Sequence, residues 1–278
     1  MRHLYLLGYP VAHSLSPAIQ NAALRALGLN FKYSLMPATP EELNRRVLDL
    51  KDLSVAGFNV TIPHKVAVLP LLDGLDEVAS DVGAVNTVVN CDGRLIGYNT
   101  DCPASLQALV EAKVGLTGSK VVVLGAGGAA KAVVCGLAQQ VNSIMILARD
   151  DANAKQLAKM FEGRGAEIAG ANISQASDMI SETDILINTT PVGMRPNVDS
   201  TPIEGIALHS GLTVFDFVYN PVRTRLLRDA EAVGARSVSG LSMLVYQGAE
   251  AFRLWTGRIA PTGLMMGVAK RIAEGDLV

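Results

Sequence analysis

Three short polar clusters in the first hundred residues combine side chains that could bind an anion and transfer a proton. In the first cluster, Ser14 and Ser16 stand directly before Pro17. Two hydroxyls beside the free N–H groups of a helix start suit a carboxylate ligand. Ser16 stands directly before Pro17, as a helix N-cap would, and this capping role is expected to hold, whereas Ser14 is not needed for capping. His13 has no evident partner and is assigned a structural role.

The second cluster carries Asn59, Thr61 and Lys65 around Pro63. Asn59 and Thr61 share one face at the end of a predicted strand, where ligands bind in open α/β sheets. Pro63 is typical of a helix start, so Lys65 would lie in the first turn, at the positive end of the helix dipole. A cation is destabilised there, so the Lys65 amine could exchange a proton with a substrate. The alternatives are an ordinary surface lysine and, for His64, simple packing.

The third cluster joins Asn86 to Asp101 across a predicted β-hairpin whose turn is Asp92-Gly93. Asp101 could cap the helix that follows it. It could also orient the Lys65 ammonium, which would give an acid/base pair that needs no metal. No His, Cys or Asp spacing in the chain indicates a metal site.

A glycine-rich segment, Gly125-Ala126-Gly127-Gly128-Ala129-Ala130, follows an apolar strand pattern and precedes a helical one. Gly125 permits a tight turn, Gly127 lets the backbone approach a pyrophosphate, and Ala130 permits close helix–strand packing. The N–H groups of the helix start would face the phosphates. A turn of this composition can be purely structural, but its position between strand and helix favours dinucleotide binding.

The next strand runs into Arg149, Asp150 and Asp151, where the adenosine ribose is usually recognised. An acid accepts a hydrogen bond from the 2′-hydroxyl of NAD, whereas an arginine pairs with the 2′-phosphate of NADP. Either aspartate could instead cap the following helix. Because both signs of charge are present, we predict weak discrimination between the two cofactors. NADP is slightly favoured, since Asp150 can turn away to cap its helix.

Alternating strand and helix patterns must position these residues, and they predict an α/β fold of two domains. The domains join around residues 101–105 and again near 238–242. The predicted strands are 4–7, 31–36, 55–61, 87–90, 95–98, 120–124, 143–147, 184–187 and 212–215. Helices are predicted at 17–27, from 40, from 63, through 106–110, after the glycine-rich segment, and over 241–272 with a break at Pro261.

The composition restricts the partners that the chain could have. Its 278 residues are 49% hydrophobic, and the net charge of −2 comes without a long charged run, which argues against nucleic acid as a partner. No apolar run approaches the roughly 20 residues of a membrane helix. The three irregularly spaced cysteines argue against a disulfide framework or zinc site and favour a reducing compartment, the cytoplasm. The apolar N-terminus is too short for a signal peptide.

The order of these motifs resembles that of the shikimate dehydrogenase family over essentially the whole chain. Each motif is modestly specific, but eight in order are highly specific. They are 13–17, 59–65, 83–87, 99–101, 125–129, 188–194, 216–221 and 240–247. The resemblance implies an N-terminal α/β substrate domain (1–103), a Rossmann dinucleotide-binding domain (104–240), and C-terminal helices (241–278) that return to the first domain.

The resemblance also implies an activity and a set of site residues. The activity would be the reversible NAD(P)-dependent reduction of 3-dehydroshikimate to shikimate, in aromatic amino-acid biosynthesis through chorismate. Lys65 would be the general acid/base, paired with Asp101. The implied substrate-binding residues are Ser14, Ser16, Asn59, Thr61, Asn86, Tyr219 and Gln247. The implied cofactor-binding residues are Gly125, Ala126, Gly127, Gly128, Ala129, Arg149, Asp150, Thr190, Val218 and Gly240, with Val218 and Gly240 beside the nicotinamide.

Two departures from the family pattern keep alternatives open. Members that use NADP usually carry Asn-Arg-Thr and then a basic residue, whereas residues 148–150 here are Ala-Arg-Asp and Asn153 takes the basic position. Cys102 and Ser242 stand where the family usually has glycine. The alternatives are a catabolic, NAD-using quinate/shikimate dehydrogenase and a ligand-sensing module without activity. Intact Lys65 and Asp101 argue against the module. A monomer or a homodimer is expected.

Overall fold

The computed structural model describes residues 1–206 and 208–275. The strands are β1 (Arg2–Gly8), β2 (Phe31–Pro37), β3 (Val55–Val60), β4 (Gly74–Leu75), β5 (Thr87–Cys91), β6 (Arg94–Tyr98), β7 (Lys120–Leu124), β8 (Ser143–Ala148), β9 (Glu167–Asn172), β10 (Ile185–Asn188), β11 (Thr213–Asp216) and β12 (Arg236–Ser239). The helices are α1 (Ser16–Ala26), α2 (Leu43–Asp49), α3 (Glu77–Val82), α4 (Asp101–Glu111), α5 (Gly128–Leu137), α6 (Asp151–Met160), α7 (Ala176–Ile180), α8 (Arg225–Ala232), α9 (Gly240–Thr256) and α10 (Thr262–Glu274). Strands and helices alternate along most of the chain, as the α/β prediction requires.

The chain divides into two compact units, Met1–Asp101 with Leu244–Val278, and Cys102–Met243. The domain boundaries expected from the sequence are 1–103 with 241–278, and 104–240; residues 276–278 lie outside the described residues. Helices α4 and α9 each cross from one unit into the other.

The first unit contains a mixed six-stranded sheet in the order β2-β1-β3-β5-β6-β4. β1 is parallel to β2 and β3, whereas β5 pairs antiparallel with β3 and β6. The predicted hairpin is present, with left-handed backbone at Asp92 (φ 54°) and Gly93 (φ 88°), as a type I′ turn requires. All six residues of β3 are buried, so the polar residues near its end are anchored in the core.

The second unit is a parallel six-stranded sheet in the order β12-β11-β10-β7-β8-β9. This is the doubly wound Rossmann order, in which the chain reverses direction across the sheet between β7 and β10. β10 and β11 are buried at every position and β7 at all but its first, as expected for strands covered on both faces. Ligands of such sheets bind at the carboxyl ends of the strands beside this reversal.

The predicted helix beginning at Pro63 is wrong. The chain between β3 and Leu69 forms a succession of turns, closed by bonds from His64 N–H to Thr61 O (2.9 Å) and from Val68 N–H to His64 O (2.9 Å). The His64 ring is buried and its Nε2 lies 2.7 Å from Ala38 O, a tertiary contact that outweighs the local preference for a helix. The helix-dipole argument for proton exchange at position 65 therefore has no basis.

Candidate active site

The centre of the candidate site in the first unit is an ion pair. Lys65 Nζ donates to Asp101 Oδ2 at 2.6 Å. Asp101 is buried at the first residue of α4, where the positive end of the helix dipole stabilises a carboxylate. The Lys65 side chain is 16% exposed, so its ammonium can reach a ligand from a largely desolvated position.

Asn86 holds the other side of the Asp101 carboxylate. Its Nδ2 donates to Asp101 Oδ1 (2.8 Å) and lies within reach of Thr100 Oγ1 (2.9 Å) and Gln247 Oε1 (3.4 Å). The Thr100 N–H donates back to Asn86 Oδ1 at 2.7 Å. The carboxylate is thereby fixed between an ammonium and an amide. The sequence pointed to Asn86, Asp101 and Gln247, but Thr100 received no role although it lies inside a quoted motif.

Asn59 supports this cluster from within the core. Its Nδ2 donates to Asn86 O and to Thr87 Oγ1, both at 3.0 Å, and its Oδ1 accepts from Tyr33 OH at 2.7 Å. Both amide hydrogens are thus used inside the protein. Asn59 therefore buttresses Asn86 and offers no free amide hydrogen to a ligand. Thr61, which follows β3, is partly exposed.

The two serines lie at the start of α1, with roles that differ from the expectation. The helix begins at Ser16, the preceding Leu15 provides no side-chain cap, and Ser14 Oγ accepts from Ser16 N–H at 3.2 Å. The expectation that Ser16 caps the helix is wrong, because α1 begins at Ser16 itself; the side-chain bond at this helix start is the one that Ser14 Oγ accepts from Ser16 N–H. Both hydroxyls still lie at the start of α1, where the positive end of the helix dipole suits a carboxylate, although Ser16 N–H is already bonded and Pro17 has no N–H. His13 is exposed.

The glycine-rich segment of the second unit fits a dinucleotide. α5 begins at Gly128 without a side-chain cap or an acidic residue in its first turn, so its first N–H groups are open to an anion. Gly125 has φ +107°, and a Cβ there would lie 2.7 Å from Thr189 Oγ1, so glycine is required. A Cβ at Gly127 would meet nothing within 4 Å, which leaves space against the backbone for a pyrophosphate.

The Asp150 carboxylate is turned into its own helix. Oδ1 accepts from Ala152 N–H and Oδ2 from Asn153 Nδ2, both at 3.0 Å. Arg149 is exposed beside it. The capping bonds thus occupy the Asp150 carboxylate, while the neighbouring Arg149 side chain is open to solvent.

A second polar cluster lies where β10 and β11 end. Asp216 is fully buried; its Oδ1 accepts from Asn188 Nδ2 (2.9 Å) and Val218 N–H (3.0 Å), and its Oδ2 accepts from Thr224 Oγ1 (2.6 Å). Burial raises the pKa of the Asp216 carboxyl to about 6, although these three donors lower it. Sequence reasoning gave Asp216 no individual role; the available signal was an acid at the end of a wholly apolar strand. We call Asp216, Asn188, Val218 and Thr224, together with Thr190, the Asp216 network.

The remaining predicted residues are placed as follows. Thr190 accompanies Asn188, whose Oδ1 accepts from both Thr190 N–H (3.0 Å) and Thr190 Oγ1 (2.7 Å). Gly240 is buried at the start of α9, and Tyr219 follows Val218 in the second unit. Within residues 1–206 and 208–275, no group of three or more His, Cys, Asp or Glu could hold a metal. None of the described helices has the length and apolar character needed to cross a membrane.

Comparison with known proteins matches the chain to three family models. The shikimate dehydrogenase substrate binding domain matches residues 6–88, the shikimate/quinate 5-dehydrogenase model residues 108–204, and the shikimate 5′-dehydrogenase C-terminal domain residues 240–270. The shikimate dehydrogenase (NADP(+)) of Methanothermobacter thermautotrophicus is 46% identical over 274 residues, covering 98% of this chain and 96% of its relative.

Solved structures agree with these matches. A crystal structure of a shikimate dehydrogenase in complex with NADP+ has a TM-score of 0.89 at 38% identity, covering 98% of this chain and 96% of the other. The shikimate 5-dehydrogenase of Thermus thermophilus, in complex with NADP(H) and shikimate, has a TM-score of 0.85 at 36% identity, covering 98% of this chain and 99% of the other.

Proposed function

The chain belongs to the shikimate dehydrogenase family, and from this premise we propose that it catalyses the reversible NADP-dependent reduction of 3-dehydroshikimate to shikimate. It is an oxidoreductase that acts on a CH–OH group. The observation that carries the proposal is the Lys65–Asp101 ion pair, held at 2.6 Å and fixed from its other side by Asn86.

Lys65 moves the proton of the reaction. NADPH, when bound, supplies the hydride that reaches the carbonyl carbon of the substrate. The Lys65 ammonium donates a proton to the carbonyl oxygen, which becomes the hydroxyl of the product. In the reverse direction the neutral amine accepts the hydroxyl proton as the hydride leaves. Asp101 orients the ammonium through its 2.6 Å bond.

The substrate is recognised at its carboxylate and at its ring hydroxyls. Ser14 and Ser16, at the start of α1, bind the carboxylate with the help of the helix N-terminus. The ring hydroxyls are bound by Thr61, Asn86, Asp101 and Gln247. Tyr219 is the remaining substrate-binding residue that the family resemblance implies. Asn59 acts indirectly, because its amide holds the Asn86 backbone in place.

The second unit binds the cofactor. Gly125–Ala129 and the N-terminus of α5 would hold the pyrophosphate, and Arg149 would pair with the 2′-phosphate. Asp150, which caps α6, stays clear of that phosphate, and this supports NADP as the preferred cofactor. Thr190, Val218 and Gly240 would hold the nicotinamide end.

The remaining assignments follow from the same premise. Residues 1–103 with 241–278 form the substrate domain, and residues 104–240 form the cofactor domain. The enzyme works in the cytoplasm, as a monomer or a homodimer, on a small-molecule substrate and without nucleic acid or membrane as a partner. Its product feeds the biosynthesis of aromatic amino acids through chorismate.

A matrix of two substrates and two cofactors tests the proposal. Initial rates of shikimate and quinate oxidation are measured with NADP+ and NAD+, and kcat/KM is expected to be highest for shikimate with NADP+. A higher value for quinate with NAD+ would replace the biosynthetic function with the catabolic one. Binding of shikimate in calorimetry without turnover of any pair would favour the ligand-sensing module.

A further inference from the structure

We propose that Asp216 is a positioning residue for the cofactor: its carboxylate holds the loops after β10 and β11 in the shape that the nicotinamide end of NADP requires. The proposal rests on the proposed function, because it needs a dinucleotide at the carboxyl edge of the second sheet. It assigns a role to a residue that does not itself touch substrate or cofactor.

One carboxylate oxygen joins two loops. Asp216 Oδ1 accepts from the Val218 N–H (3.0 Å) in the loop after β11 and from Asn188 Nδ2 (2.9 Å) at the end of β10. The Asn188 Oδ1 in turn accepts from the Thr190 N–H (3.0 Å) and hydroxyl (2.7 Å). The backbones of Val218 and Thr190 are thus fixed relative to each other through a single buried acid.

The same segment is held from a second direction by close packing. A Cβ at Gly240 would lie 2.7 Å from Asp216 O and 2.5 Å from Phe217 O. Only glycine lets the start of α9 approach the backbone this closely. The loop after β11 therefore has little freedom while both the carboxylate and Gly240 are present.

The position of these loops in the sheet connects them to the cofactor. β10 lies next to β7, which leads into the glycine-rich segment, and β11 lies next to β10. A Cβ at Gly125 would lie 3.1 Å from Thr190 Cγ2, so the loop after β10 already adjoins the glycine turn. A dinucleotide that extends along this edge from the glycines meets the Thr190 loop and then the Val218 loop.

A carboxylate in this position is costly for folding alone. It is fully buried, and desolvation dominates over its three neutral donors, which keeps its pKa at about 6. An apolar side chain could fill the same space at lower cost, but it would leave the Val218 N–H and Asn188 Nδ2 without their acceptor. Proteins retain such a conflict mainly at functional sites, and the two loops tied here are those assigned to the nicotinamide.

The network offers a matched control on its far side. Asp216 Oδ2 accepts from Thr224 Oγ1 (2.6 Å), and that hydroxyl caps α8 by accepting from Leu227 N–H (3.3 Å). Thr224→Val removes a bond to the same carboxylate and a helix cap, but it leaves the bonds to Val218 and Asn188 intact. Any general loss of stability should appear in both variants, whereas a loss of loop position should appear only in Asp216→Ala.

The experiment measures the Kd of NADP+ by calorimetry, the KM of shikimate and the Tm of the full-length enzyme. Asp216→Ala should raise the Kd of NADP+ at least tenfold and the KM of shikimate, measured at saturating NADP+, less than threefold. Asp216→Asn, which keeps an acceptor toward Val218 and a donor toward Thr224, should stay within threefold of wild type. Thr224→Val should lower the Tm without changing the Kd.

Three results would overturn the proposal. The first is a Kd of NADP+ for Asp216→Ala equal to that of the wild type. The second is a rise in Kd for Thr224→Val as large as that for Asp216→Ala. The third is an equally large rise for Asp216→Asn, because the negative charge itself would then be the cause. If Asp216→Ala does not fold, Asn188→Ala replaces it: it removes the bonds that tie Thr190 to Asp216, together with a 3.4 Å contact to Val192 O, and leaves the bond from Val218 N–H to Asp216 intact. No rise in the Kd of NADP+ for Asn188→Ala would overturn the proposal. A wild-type enzyme that does not bind NADP+ would instead contradict the proposed function.

Discussion

At the scale of single residues, Lys65 is expected to carry most of the chemical step. Lys65→Ala should lower kcat by roughly 10²–10⁴-fold, the usual contribution of a general acid/base. Binding of shikimate should change far less, since the other polar contacts remain. Steady-state kinetics with calorimetry of shikimate binding would separate the two effects. Turnover close to that of the wild type would exclude Lys65 as the proton donor.

Ser14 is expected to serve both the substrate and the helix. Ser14→Ala should weaken binding of shikimate by about 1–3 kcal/mol, as for a hydrogen bond to a charged group. Because Ser14 Oγ also accepts from Ser16 N–H, the substitution should cost about 0.5–1.5 kcal/mol of stability, the usual net contribution of one hydrogen bond. Asp76→Ala, which removes the cap of α3 at Ala79 N–H, is the control: it should lower the Tm with no change in KM. If Asp76→Ala raised the KM of shikimate as much as Ser14→Ala does, Ser14 would affect binding only through the stability of the protein.

Asn153 is expected to influence the choice of cofactor through Asp150. In the wild type, kcat/KM for NADP+ and NAD+ should differ by no more than about tenfold, or ~1.4 kcal/mol. Asn153→Ala frees Asp150 Oδ2 and should shift the ratio toward NAD+. Asp150→Thr with Asn153→Arg should shift it toward NADP+. Lys155→Ala, which breaks only the ion pair with Asp151, should leave the ratio unchanged.

A thousandfold preference in the wild type, or a shift of the double variant toward NAD+, would contradict this account of the ribose site. In either case the Asp150 carboxylate would not act as the geometry indicates.

The sequence motifs predicted which residues belong to the site, but not all of the contacts that these residues make. The contact between Lys65 and Asp101 is present, but the dipole argument for Lys65 was wrong, because the helix on which it depended does not exist. Asn59 shares a strand end with the site, yet its amide faces Tyr33 and Asn86. Strand alternation gives the face on which a side chain lies but not the partner that it meets there.

At the scale of elements, the sequence predicted correctly those features that depend only on neighbouring residues. The Asp92-Gly93 turn is present, because it depends on a few neighbouring residues. β9 and β12 went unpredicted, since both are edge strands with several residues partly or fully exposed and no strong apolar run. The turn at Pro63 was misread because the tertiary contact of His64 decides it.

The packing of α9 against the first sheet gives a prediction at this scale. Trp255 Nε1 donates to Val88 O at 2.9 Å, and a Cβ at Gly57 would lie 2.4 Å from that nitrogen and 2.3 Å from Val88 O. Gly57→Ala should therefore displace the indole and cost about 1–3 kcal/mol of stability. Gly267→Ala, in α10 with nothing within 4 Å, should stabilise by up to about 1 kcal/mol. Denaturant unfolding of both variants measures the free energy of unfolding. A value for Gly57→Ala equal to that of the wild type would contradict the close packing of Trp255 against Gly57.

At the scale of the whole molecule, Asp216 should make stability depend on pH. The folded pKa of about 6 lies above the ordinary 3.8, so between these values the folded protein holds a proton that the unfolded chain has lost. The contribution to the free energy of unfolding is fully present below pH 4 and falls by up to about 3 kcal/mol as the pH rises to 6. Asp216→Asn should lack this term. The difference between the two proteins, measured by urea unfolding from pH 4 to 7, would be flat if Asp216 did not titrate in this range.

The division of the first unit into two separate stretches of the chain has a consequence for folding during synthesis on the ribosome. The second unit is continuous, from Cys102 to Met243, whereas the first is completed only by Leu244 onward. Gln20 Nε2 donates to Gly248 O, and Val88 O receives the Trp255 indole N–H, so the first unit needs α9 to satisfy its own buried groups. Domains fold as units during synthesis. Residues 1–101 are translated first, but their unit is expected to complete its folding only after residues 244 onward have been synthesised. The cofactor-binding unit should therefore reach its native structure earlier than the unit that contains the N-terminus.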